Sequence, residues 1–132
     1  MIKAVEYTFC GKSVWLFYSM SAMLGINEKF GEPSELMKKM NAASADGREV
    51  ILSAFSILAE AGAACRRHFS EQDSFVPTVD EMRDCCNFKD LTEMHNAVVS
   101  AICIGVGRDV PDADGVDLDQ LEFDRAHEKK TR

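Results

Sequence analysis

The sequence predicts a mainly α fold: a small helical domain with an N-terminal β-hairpin and a flexible acidic C-terminal tail. Three observations predict it. Two β-rich runs flank a glycine turn within the first 18 residues. Apolar residues then recur at helical spacing through residues 20–106, bracketed by capping signals. Finally, residues 109–124 hold seven acidic side chains and no basic one, the pattern of a solvated segment. The 132 residues support one domain with a single core. Its expected span is 1–106, with 107–132 as an acidic tail expected to be disordered.

In the hairpin, Val5, Tyr7 and Phe9 alternate imperfectly with Lys3, Glu6 and Thr8, and residues 14–18 are β-branched and aromatic. "CGK" supplies the turn. An isolated hairpin is marginal in water, so it should pack on helices. A first helix is expected in "SMSAMLGINEKFG", with Met20, Met23, Leu24, Asn27 and Phe30 on its stripe and Gly31 beyond its end. "EPSELMKKM" starts a second at Pro33 and aligns Leu36, Met37 and Met40. The longest helix should run over 47–69 with Asp46 as N-cap. Its stripe is Val50, Ile51, Ala54, Phe55, Leu58, Ala61, Gly62, Cys65 and Phe69. "SEQDSFVP" reads as a loop, and Thr78 with Glu81 as a capping box opening a short helix through Met82 and Cys85. A last helix should begin near Asn87 or Asp90, with Phe88, Leu91, Met94 or His95, Val98, Val99 and Ile102 inward, and stop at "GVG".

Charge narrows the function. The net charge is −7 and the pI near 4.9, divided as −4 over 1–106 and −3 over 107–132. Neither part offers the basic field of a nucleic-acid binder. The apolar runs are too short and interrupted to span a bilayer. No secretory signal is expected from an opening that lacks an apolar h-region. The five cysteines, an odd number, fit reduced thiols in a cytosolic protein.

The chemistry-bearing residues point away from catalysis. Cys65, His68, Cys85, Cys86, His95 and Cys103 lack the paired short spacings of a zinc site. Cys65, Cys85 and Cys103 fall on apolar stripes, where cysteine acts as a small hydrophobe. "DADGVDLD" fails as a calcium loop in either register: Gly115 at position 6 puts Val110 first and Leu121 last, while Asp112 at position 1 puts Asp117 where glycine belongs. His68 follows Arg66-Arg67 at a helix end, and His95 reads as a core histidine. With no nucleophile elbow, P-loop or dinucleotide glycine pattern, the expectation is a non-enzyme without cofactor or metal. Six methionines besides the first, including Met20/Met23 and Met37/Met40 at i,i+3, suit either core filling or a surface that adapts to other chains.

The linear order itself is informative. A hairpin "YTFCGKSVWLFYS" precedes a helix ending "INEKFG", then an Ala-rich helix ending "CRRHF". A "TVDEM" capped helix, a terminal helix "LTEMHNAVVSAICIGVG" and an acidic tail closing in "EKKT" follow. This order resembles the tail assembly chaperones of long-tailed bacteriophages and prophages, particularly those of Gram-positive hosts, over essentially the whole chain. The resemblance implies a cytoplasmic helper, absent from the mature virion, that binds the tape measure protein. It also implies recruitment of the major tail tube protein, through a longer form made by −1 ribosomal frameshifting. Glu128-Lys129-Lys130 can be encoded GAA AAA AAG, whose heptamer A AAA AAG permits such a slip, and these residues are the expected frameshift position. The expected partner-binding residues are Trp15 and Phe17 on the hairpin and Leu36, Met37 and Met40 on the second helix, and a homo-oligomer is compatible with them. The competing classes are a structural head–tail or tail component of a phage, and a small cysteine-dependent metal or redox regulator.

Overall fold

The structure, a computed structural model, describes residues 3–41, 45–69, 74–107 and 115–117. Strands β1 (Lys3–Phe9) and β2 (Lys12–Leu16) pair antiparallel, Val5 opposite Leu16 and Tyr7 opposite Val14. Cys10 and Gly11 form the two-residue turn at φ +48° and +79°, the left-handed conformation at both positions that matches strand twist in a tight hairpin. The period of two separates the faces. Val5, Tyr7, Phe9, Val14 and Leu16 point into the main core, whereas Ala4, Trp15 and Phe17 cluster with Cys65 on the other side.

A third strand, β3 (Gly115–Asp117), pairs antiparallel with β1, Val116 opposite Ala4, to give the order β2-β1-β3. Three residues of the expected acidic tail over 107–132 are thus paired with β1. The open edge of β1 accepts backbone hydrogen bonds from any extended segment that reaches it, and the acidic composition did not reveal this. The remainder of that expectation, including the frameshift position Glu128, Lys129 and Lys130, lies outside the described residues.

Helix α1 (Met20–Phe30) starts at Ser19, whose hydroxyl accepts from the Ala22 N–H at 3.1 Å, and ends at Gly31 with φ +94°. Helix α2 (Pro33–Met40) has proline in its first turn, where its missing N–H costs nothing. Helix α3 (Ala45–Phe69) begins two residues before the expected start, so Asp46 lies inside the first turn rather than at the cap. Its negative charge there still favours the positive end of the helix dipole. Helix α4 (Val79–Cys85) carries the expected capping box, with Thr78 and Glu81 exchanging two 3.1 Å bonds. Helix α5 (Phe88–Gly105) repeats the device with Asn87 and Asp90.

Helix α3 is the axle, packing against β2 and all four other helices. Ile51, Leu52, Ala54, Phe55, Leu58 and Ala59 are all buried. Phe55 meets Tyr7 edge-to-face at 5.2 Å, and burying a side chain of this size stabilises by about 1.5–3 kcal/mol. Where α3 crosses β2, a Cβ on Gly62 would stand 1.9 Å from the Trp15 carbonyl oxygen. Only glycine permits that approach. Four residues earlier on the same side, the Leu58 carbonyl accepts the Phe17 N–H at 3.1 Å.

Four stripes differ from expectation at particular residues, α3 leaving Phe69 exposed and α4 leaving Cys85 exposed. Helix α1 buries Ala22, Ile26 and Phe30 and leaves Met20, Leu24 and Asn27 exposed. Helix α5 buries Met94 rather than His95 and leaves Phe88 outside.

Candidate partner-binding surface

The residues expected to contact a partner fall mainly inside the domain. Leu36 is fully buried and Met40 is 4% exposed, both in the main core, with Met37 half-buried against it. Trp15 is 3% exposed. Its ring lies under the Arg66 guanidinium, 5.0 Å from the centroid, so a cation–π contact occupies a face that another chain would need. Phe17 is half-buried beside it. The helical spacing of Leu36, Met37 and Met40 was therefore a core signal, because α2 lies against α1, α3 and α5.

The apolar side chains left outside belong to other positions. Met20 is 71% and Leu24 61% exposed, one turn apart on the outward face of α1, and Phe88 is 72% exposed at the start of α5. Ala22, Ile26 and Phe30 recur every four residues, which aligns them as well as the methionine-rich face, so periodicity alone does not separate the two faces of α1. That stripe ends on the helix's largest side chain, and it is the one buried.

Beside α1 runs an open groove of about 850 Å³. Ser21, Ala22 and Gly25 of α1 form one wall, Val76, Pro77, Thr78 and Val79 the other, and α3 forms the floor with Ser56, Ile57, Glu60, Ala61, Ala64 and Arg67. Space opens above the floor because Ala61 and Ala64 carry only methyl side chains. The space matches on the order of two turns of a helix about 10 Å across. Its chemistry is apolar at the base, with Glu60 and Arg67 as the charged groups.

A second concavity surrounds Phe88. Its ring separates a pocket of about 260 Å³, reaching Leu52 and Met82, from one of about 330 Å³, reaching Met40 and Ile51. Arg48 borders both and sits 5.8 Å from the Phe88 centroid. His95 lines the second pocket, half-buried, with Nε2 3.0 Å from Asn41 Oδ1. It is a hydrogen-bonded bridge between α5 and the end of α2 rather than a core histidine.

On α4, Arg83 is bonded to Glu49 at 2.7 and 2.8 Å and to Asp80 at 2.8 Å. The bond from Arg83 holds the Glu49 carboxyl below its usual range. Burial, followed by the nearby Asp90 carboxylate, pushes the Tyr7 hydroxyl up to about 12. Among the described residues, no three His, Cys, Asp or Glu side chains are arranged to hold a metal ion, and no helix is long and apolar enough to cross a membrane. Comparisons with protein-family models, curated proteins and solved structures find no match.

Proposed function

We propose that the protein is a phage tail assembly chaperone, binding apolar helical segments of the tape measure protein and, through a longer frameshifted form, helping to recruit tail tube protein. One observation carries the reading: Met20 and Leu24 stand uncovered on α1 while the same helix walls an open, alanine-floored groove. An amphipathic helix lays its apolar face into such a groove by inserting side chains every three or four residues. Unbranched methionine accommodates differing sequences at little cost. A long tape measure chain without its tube is an exposed apolar surface, and covering it requires binding rather than catalysis. The order of elements along the chain supports the same assignment, as does a net charge of −7, which keeps a carrier of greasy segments soluble.

Co-expression tests this. Tape measure protein made with this chain should stay soluble and co-purify with it, and should aggregate when made alone. Equal insolubility with and without this chain, and no complex between them, would overturn the proposal.

A further inference from the structure

The sheet face turned away from the main core is open at one end and closed at the other. Next to the hairpin turn, Glu6, Thr8 and Ser13 are exposed. Beside β3 the face is shut: Ala4 is 1% and Trp15 3% exposed. Among the described residues, the apolar groups packed on this pair are Phe17 and Cys65, both half-buried. Two polar features belong to the same patch. Arg66, whose guanidinium covers one face of the indole, is the buried charged side chain among the described residues. A guanidinium withdrawn from water is costly unless carboxylates accompany it. The Trp15 Nε1–H is buried and meets no acceptor, whereas a buried indole N–H normally finds one. Such a patch suits an acidic peptide with interspersed apolar residues, which brings both oxygens and greasy cover.

The chain delivers a segment of that kind to this place. Strand β3 ends at Asp117, opposite Lys3, at the closed end of the face. The next seven residues read "LDQLEFD", with Leu118, Leu121 and Phe123 set among Asp119, Glu122 and Asp124. In the order β2-β1-β3, β2 lies two strand spacings from β3, roughly 10 Å. Three or four extended residues cross that distance, so residues 118–124 reach Trp15 and Arg66 with length to spare. We propose that this face is a docking surface for the chain's own acidic segment, residues 118–124. Its carboxylates meet the Arg66 guanidinium and the indole N–H, and its apolar side chains complete the cover over Trp15. The segment is then a built-in competitor for the part of the hairpin, Trp15 and Phe17, that another acidic and apolar chain would need. This inference does not depend on the proposed partner.

Trp15 is the only tryptophan of the chain, so its fluorescence reports on the patch in the full-length protein. In the unaltered chain, amides of residues 118–124 should exchange with deuterium at least about tenfold slower than in a free peptide of the same sequence. Two sets of substitutions should undo the docking: Leu121→Ser with Phe123→Ser, and separately Asp119→Asn with Glu122→Gln and Asp124→Asn. Each should shift the Trp15 emission to longer wavelength, raise its quenching by acrylamide and remove the slow exchange, while helical circular dichroism stays unchanged. None of these signals should vary with protein concentration, as contact within one chain requires. Exchange of 118–124 at the free-peptide rate in the unaltered chain, or emission and quenching unchanged in either variant, would overturn the proposal. Protection that appears only as the protein dimerises would overturn it too, by assigning the patch to a second copy.

Discussion

Helices α1 and α2 are neighbours in sequence, similar in size, and each carries a methionine pair with a leucine at helical spacing. Their fates are opposite. In α2, Leu36 and Met40 are sealed in the core; in α1, Met20 and Leu24 face outward. Periodicity is equal in the two, so the difference lies in what surrounds them. Helix α2 is held between α1, α3 and α5, whereas α1 packs chiefly on α3 and α2. A helix with more neighbours hides its greasy face, and one with fewer leaves part of it available.

The strongest way to break this contrast is to empty the covered face. Leu36→Ala should cost about 2–5 kcal/mol in chemical denaturation, since the side chain is fully enclosed and its site collapses only partly. An effect below about 1 kcal/mol would mean that α2 is not packed as described. Thr78→Ala, at the groove wall opposite α1, should cost about 1 kcal/mol by leaving the Glu81 N–H without its side-chain acceptor. The double change Met20→Ser with Leu24→Ser should alter stability by no more than about 0.5 kcal/mol. Recovery of a complex with a tape measure segment should nevertheless fall by roughly tenfold or more. Loss of stability with unchanged capture would exchange the roles of the two helices.

The smallest effect belongs to an ion pair that touches neither face. Glu49 has a depressed carboxyl in the folded state, so its bond to Arg83 contributes above the unfolded carboxylate value of about 4.3. That contribution disappears as pH falls through the lower folded value. Glu49→Gln should therefore lower the melting temperature slightly at neutral pH and not at strongly acid pH, and added salt should shrink the difference.

How much was legible in the sequence follows from the same contrast. Local signals were read correctly where the physics is local: the Thr78–Glu81 box, Pro33 at a helix start, Gly31 at a helix end and the Cys10-Gly11 turn are each decided by backbone geometry within a few residues. The third strand was not legible, because pairing with β1 joins residues more than a hundred apart. The partner surface was the least legible part. Trp15 and Leu36 look alike as exposed or enclosed groups until the path of α3 is known, and Met20 is distinguished from Met40 only by the number of helices around it.

The crossing of α3 over β2 has one more effect. Trp15 and Phe17 share a parity along the strand, so the carbonyl lying against Gly62 and the N–H donated to Leu58 both point away from β1. These are the groups through which an additional strand would attach. A helix occupies that margin, and a segment of three residues occupies the other, so the sheet offers little template for templated β-stacking. With both margins covered, copies of the folded domain have little open strand edge through which to nucleate fibres.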